Sequence, residues 1–237
     1  MKIAIDGPGG AGKSTAAKLL AKGLGMTYID TGAMYRAVAL AADMKGIAAS
    51  DDGAVIGLLN DIDIGVSHDP VTGEQLISLD GRDVGGLIRT PRISAGASDV
   101  SRIPGVRIKL VELQRRIAAG RDVIMDGRDI GTYVFPDAEK KYFLTAAPET
   151  RAMRRFLELR GKGVDTTFEQ CLSELRARDL NDSTRAFAPL AVAQGALVVE
   201  TDDMEAAEVA EYLRSDVVAY LRSGISGIRG GAGDARI

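Results

Sequence analysis

The sequence predicts an α/β fold with a parallel sheet covered on both faces by helices. Short apolar segments of four to six residues recur along the chain, and stretches with helical spacing separate them. A glycine-rich turn joins the first such segment to the first helix. Apolar strands alternating with helices imply parallel strands buried on both sides.

Taken in order, the first strand covers Lys2 to Asp6, the first helix about Ser14 to Lys22, and the second strand Thr27 to Asp30. Asp122 to Asp126, Lys141 to Thr145 and Ala196 to Thr201 supply three further strands. Between Asp61 and Asp83 the texture changes, because DIDIGVS and EQLISLDG alternate apolar and polar residues around the turn-rich DPVTG. That pattern predicts an antiparallel hairpin in an inserted piece. Thr90 to Ser101 reads as a small-residue helix, and Pro104 to Ala119 as an amphipathic one with Val106, Leu110, Leu113 and Ile117 on one face. Pro148 to Gly161 is helical and carries Arg151, Arg154, Arg155 and Arg160 before a break at GKGVDTT. An amphipathic helix from Met204 to Arg222 closes the fold, and the glycine-rich residues 223–237 read as a flexible tail.

Composition bounds the function. The 237 residues contain 30 Lys and Arg against 33 Asp and Glu, a net charge of −3 that disfavours a general polyanion binder. No basic stripe with aromatics is present, so nucleic acid is not an expected partner. One Cys cannot form an internal disulfide, and one His excludes a His-based zinc site. The first apolar stretch is only three residues long before Asp6, and GAMYRAVALAADM is interrupted by Arg36 and Asp43. No leader and no membrane span are therefore expected, which predicts a cytoplasmic protein. Of the basic residues 21 are Arg and 9 are Lys. Arg holds phosphate oxygens bidentately, so an acidic chain rich in it points to concentrated phosphate sites.

Gly7, Gly12, Lys13 and Ser14 fit the spacing of a phosphate-binding loop, between a strand and a helix as that loop requires. The backbone amides of Gly7, Gly9, Gly10, Ala11, Gly12, Lys13, Ser14 and Thr15 are expected to cradle the phosphates of ATP at a helix N-terminus. Lys13, expected at the exposed rim of the cup, would reach the β- and γ-phosphates, and the Ser14 hydroxyl would face Mg²⁺. Asp126 ends an apolar strand, where an acid could orient Mg²⁺ or its waters. The loop alone leaves kinase, switch and motor open, and a small-molecule kinase needs a second, arginine-rich pocket.

Three clusters after core strands supply it: DTGAMYR over 30–36, DGRDIGT over 126–132 and RDLNDSTR over 178–185. Ligands bind at the carboxyl ends of strands in open α/β sheets. Together with GPGGAGKST, these motifs closely resemble the bacterial cytidylate kinases over about residues 1–222. The resemblance implies a P-loop kinase core with a five-stranded parallel sheet, formed by residues 1–30, 120–150 and 166–222. It further implies an acceptor-binding insertion over about 31–119 and a short helical lid near 151–165. The implied activity is transfer of the ATP γ-phosphoryl group to CMP or dCMP by a monomer. Carried across residue by residue, Arg36, Arg128 and Arg185 would hold the acceptor phosphate, Thr31, Arg107 and Asp129 would read cytosine, and Ser98, Arg178 and Asp182 would contact the pentose. Lys13, Arg128, Arg185 and Arg154 would neutralise the transferring group. Thr31 stands where the family commonly has Ser; it keeps the hydroxyl and adds a methyl.

The chemistry of the residues agrees. Cytosine presents an amine donor beside two acceptors, and Asp129 with Arg107 supplies the matching carboxylate and guanidinium. Uracil would set a carbonyl against Asp129. The acceptor phosphate is largely dianionic at neutral pH, so no general base is needed. The other readings are a related kinase acting on UMP or another small acceptor, and a nucleotide-dependent switch whose turnover ignores monophosphates. Cys171 shares an apolar face with Phe168, Leu172 and Leu175 and is expected in the core, while His68 is expected to be solvated in the hairpin turn.

Overall fold

A computed structural model describes residues 1–229; the last eight residues of the expected tail lie outside the described residues. The chain runs β1 (Lys2–Asp6), α1 (Lys13–Leu24), β2 (Thr27–Asp30), α2 (Thr31–Met44), α3 (Asp52–Asp61), β3 (Ile64–His68), β4 (Gln75–Leu79) and β5 (Arg82–Asp83). It continues through α4 (Pro91–Val100), α5 (Pro104–Ala118), β6 (Val123–Asp126), β7 (Lys140–Thr145), α6 (Pro148–Gly161), α7 (Phe168–Thr184), β8 (Leu197–Glu200) and α8 (Ala206–Arg229). α8 extends beyond Arg222, where the sequence pattern ended the helix.

The five expected strands form one parallel sheet in the order β2-β6-β1-β7-β8. Alternation along a strand sends successive side chains to opposite faces, and β1 shows what that does. Ile3 and Ile5 join Ile124, Tyr142 and Leu144 under α1 and α8, whereas Ala4 joins Ile29, Val123 and Met125 under α2 and α5. Both faces are thus buried along β1 and β6, which is why those strands read as continuous apolar runs, whereas the edge strand β8 leaves Leu197 and Val198 exposed. The register sets Asp30 beside Asp126, and Asp6 ends the adjoining β1, so three carboxylates gather at the carboxyl edge of the sheet.

Two helices lacked a clear sequence signature. α2 buries Ala33, Met34, Tyr35 and Ala37 through Ala42, so it has apolar residues nearly all round and no wet face to reveal a period. Its small side chains admit α4 closely: a Cβ on Gly96 would lie 3.3 Å from the Ala39 Cβ. α3 is short and capped by Asp51, whose side chain accepts from the Ala54 amide. The hairpin forms as expected, but Asp80 and Gly81, both at positive φ, turn the chain once more and add β5 as a third strand. Cys171 is buried in a small cluster with Ala152, Leu159 and Leu175, as its spacing indicated. Among the described residues, no helix is long and apolar enough to cross a membrane.

Candidate functional site

At the carboxyl edge of the sheet lies a cleft of about 890 Å³, and every site residue expected from the sequence lines it except Gly7. Gly7 sits behind, at φ 141°, where a Cβ would run into the Leu144 carbonyl oxygen. Only glycine lets the loop leave β1 so close to β7.

On the donor side, Gly12 caps α1 in the left-handed conformation with no side-chain hydrogen bond. The first-turn amides of α1 are therefore left without a capping side chain, at the positive end of a helix dipole. Lys13 departs from the expectation of an exposed rim: it is 5% exposed, and its Nζ donates to the Pro8 carbonyl at 2.6 Å. Burial, and then the Arg128 charge, push its pKa well below the usual lysine value, so the site pays for a cation that only an anion fully compensates.

Ser14 and Asp126 meet, with the Ser14 Oγ donating to Asp126 Oδ2 at 2.8 Å. The Tyr28 hydroxyl donates to the other oxygen, Oδ1, at 2.7 Å. Burial, followed by the neighbouring Asp30, raises the Asp126 pKa. A hydroxyl beside a carboxylate is a hard-oxygen donor set that fits Mg²⁺. Among the described residues no group of three or more His, Cys, Asp and Glu forms a metal cage. Most ligands of such an ion would thus be phosphates and water.

The acceptor side is built from side chains of several separate elements. Asp30 caps α2 by accepting from the Ala33 amide at 3.0 Å with Oδ1, and its Oδ2 accepts from Arg36 Nη2 at 2.8 Å. Arg128 Nε donates to Asp182 Oδ2 at 2.8 Å across from α7. Arg107, 1% exposed, is hydrogen-bonded and ion-paired with Asp129 and lies 5.4 Å from the Tyr35 ring centroid, a cation–π distance. Arg185 approaches both Asp129, at 3.7 Å, and Asp182, at 3.5 Å. Burial alone would raise the Asp182 carboxyl, but Arg128, Arg178 and Arg185 outweigh it and hold the pKa below the ordinary value.

Two of the expected pentose residues have unmet polar atoms. The Ser98 Oγ is buried with no hydrogen-bond partner, and so is the Arg178 Nε. Burial and then Arg128 lower the Arg178 pKa to about 10. Thr31, by contrast, has committed its hydroxyl proton to the Asp126 carbonyl at 2.8 Å, leaving only lone pairs and a methyl for a base. Asp182 likewise spends its oxygens on Arg128 and Arg185, although a carboxylate has room for a further donor.

Arg154 is not brought among the acceptor arginines. Its guanidinium donates to Thr201 Oγ1 at 3.1 Å, to the Thr201 carbonyl, and to the Asp202 and Met204 carbonyls at 3.4 and 3.3 Å. A catalytic role would require it to leave these carbonyls.

Several residues escaped sequence reasoning. Asp6, 2% exposed, accepts from the Ile130 and Gly131 amides at 2.8 and 2.7 Å and so anchors the π-helical turn after Asp129 to the first strand. Its burial raises its pKa to about 6 despite those bonds. Arg151, buried one turn before Arg155, donates to the Gly9 carbonyl at 3.1 Å and the Ala146 carbonyl at 2.9 Å, and pairs with Asp179 at 2.7 Å. Polar residues at the ends of apolar positions were the only signals for either.

The cytidylate kinase family model matches residues 3–218. The cytidylate kinase of Caldicellulosiruptor saccharolyticus is 53% identical over 88% of this chain and 92% of its own length. That of Caldanaerobacter subterraneus is 50% identical over 89% and 92%, and that of Pelotomaculum thermopropionicum 48% identical over 93% and 97%. The family model spans nearly the whole described chain and these relatives are covered over about nine-tenths of their length, and the chain belongs to the cytidylate kinase family.

Proposed function

We propose that this kinase, which passes the γ-phosphoryl group of ATP to CMP or dCMP, works by positioning and charge neutralisation with no protein base. One observation carries the reading: a backbone-built phosphate cup and an arginine-rich side-chain pocket share a single cleft. The dianionic acceptor phosphate, held by Arg36, Arg128 and Arg185, is itself the nucleophile. Its oxygen attacks the γ-phosphorus while the bond to the β-phosphate oxygen breaks and the negative charge passes to ADP. Lys13 and Arg128 would face the equatorial oxygens of the transferring group; anion binding gives Lys13 a better partner than Pro8.

Asp129 and Arg107 are the base readers in this scheme, already paired and buried, and so preorganised for cytosine. Ser98, Arg178 and Asp182 would receive the pentose, and Ser98 with its unmet hydroxyl fits that role. Ser14 would hold Mg²⁺ directly and Asp126 through water, and the ion would supply positive charge to offset that of the phosphates. We assign residues 1–30, 120–150 and 166–222 to the core, about 31–119 to the acceptor-binding body and about 151–165 to a lid that excludes water. We also take the enzyme to act as a monomer in the cytoplasm, where a free buried cysteine is at home.

A coupled assay of ADP release across CMP, dCMP, UMP and AMP tests this. Turnover should be confined chiefly to the cytidine nucleotides. ADP release at the same rate without any monophosphate would instead favour a switch-type hydrolase.

A further inference from the structure

β2 is an edge strand of the parallel sheet: β6 pairs with one side, and among the described residues no strand pairs with the other. Open strand edges leave backbone groups without partners. Here side chains of the small antiparallel sheet take the place of a further strand. Gln75, the first residue of β4, grips Asp30 at both ends of its main chain. Its Oε1 accepts from the Asp30 amide at 2.7 Å, and its Nε2 donates to the Asp30 carbonyl at 3.2 Å. His68, the last residue of β3, is not solvated in the turn; its Nε2 lies 2.8 Å from the Tyr28 carbonyl. Gln75 and His68 face each other in the hairpin register, so the clamp is one pair of cross-strand neighbours.

Asp30 is the residue on which the acceptor side turns. One carboxylate oxygen caps α2 and the other holds Arg36, whose Nε is buried without a partner. A rotation of the Asp30 peptide would move both oxygens together and take Arg36 with them. We propose that Gln75 is a positioning residue for the acceptor phosphate: it fixes the Asp30 main chain, and thereby the Asp30 carboxylate and Arg36. The inserted hairpin is in this sense part of the acceptor site without touching the acceptor. The inference rests on the assignment of Arg36 to the acceptor phosphate.

The test compares Gln75→Leu, Gln75→Glu, His68→Leu and Arg36→Ala in steady-state kinetics, with melting temperatures measured alongside. Gln75→Leu should raise KM for CMP by about fivefold to twentyfold, with KM for ATP within about twofold of wild type; a lost neutral hydrogen-bonded clamp corresponds to roughly that factor. Gln75→Glu keeps the acceptor for the Asp30 amide but sets a carboxylate oxygen against the Asp30 carbonyl, so its effect on KM for CMP should be at least as large as that of Gln75→Leu; it also serves if the leucine variant does not fold. His68→Leu, which frees Tyr28 but leaves Asp30 held, should change KM for CMP less than Gln75→Leu. Arg36→Ala should raise KM for CMP more than any of them. If Arg36→Ala leaves KM for CMP unchanged, the assignment of Arg36 fails and the Gln75 route fails with it. If Arg36→Ala acts as expected but Gln75→Leu and Gln75→Glu shift both KM values equally or neither, Gln75 is structural only. Equal effects from His68→Leu and Gln75→Leu would also overturn the route through Asp30.

Discussion

The two halves of the cleft solve one problem, binding phosphate away from bulk water, by opposite means. The donor loop is a continuous run of main chain, with Gly7 where a Cβ would strike the Leu144 carbonyl oxygen and Gly12 where the chain turns at positive φ. The acceptor pocket is an array of guanidinium groups from α2, α5, the β6 loop and the end of α7, each except Arg178 paired with a carboxylate. Backbone dipoles need no counterion. Buried guanidiniums do need one, because an unpaired charge in a poorly solvated site is costly. Asp30, Asp129 and Asp182 supply those counter-charges and fix the directions of the arginines. Lys13 and Arg178, with no carboxylate in hydrogen-bond reach, have pKa values lowered by burial and then by the neighbouring Arg128, and Arg185, paired only at 3.5 and 3.7 Å, is lowered by burial and then by Arg107.

The largest way to break this contrast is at Lys13. Lys13→Met should reduce kcat by roughly a thousandfold, the scale of losing a charged contact to the transferring group. Because a buried cation is relieved, the melting temperature of the ligand-free variant should hold or rise. A fall in melting temperature together with retained turnover would place the reacting phosphates elsewhere.

On the acceptor side, neighbouring residues should fail differently. Arg128→Ala should depress turnover about a hundredfold for every monophosphate alike, since its charge serves the phosphate whatever the base. Asp129→Asn should instead erode the preference for CMP over UMP by roughly tenfold to a hundredfold, the worth of a charged hydrogen bond of about 1.5 to 3 kcal/mol. The asparagine is preferred to alanine because Arg107 is buried against this side chain, and removing the partner altogether would leave its charge stranded. Full selectivity in Asp129→Asn would reduce Asp129 to a structural counterion.

Asp6 joins the two halves, as it links the first strand to the turn after Asp129. Its folded-state pKa of about 6 lies above the ordinary 3.8, so the folded chain holds this proton more tightly than the unfolded chain. Stability from that proton is fully present below about 3.8 and is lost as pH rises through about 6. Asp6→Asn carries no titrating group, so wild-type stability relative to it should fall by roughly 2 to 3 kcal/mol between pH 4 and 7.5 in denaturant titrations. A constant difference would mean that the two amides, rather than burial, govern the carboxyl.

The smallest effect is expected at the sugar. Asp182 and Arg178 lie where they could grip the 3′-hydroxyl common to both sugars, so kcat/KM for dCMP should stay within about tenfold of that for CMP. A thousandfold preference for CMP would point to a group dedicated to the 2′-hydroxyl, and Ser98 would be the first to replace.

The amino-acid sequence by itself determined whatever depends on near neighbours. The spacing of Gly7, Gly12, Lys13 and Ser14 specified a cup between strand and helix, five apolar runs specified the sheet, and three arginine clusters marked the loops where a second phosphate would bind. Those signals survive in one dimension because amides, turns and strand alternation are set within a few residues. Tertiary structure decided which cation meets which carboxylate. Arg128 and Asp182 are 54 residues apart, Arg151 and Gly9 142, and Gln75 and Asp30 45, and no local period connects them. It also decided that Lys13 lies buried on Pro8 and that Arg154 rests on the loop after β8. Burial and pairing of a charge depend on what the rest of the chain places against it, and the strength of an ion pair depends on how much water that packing removes.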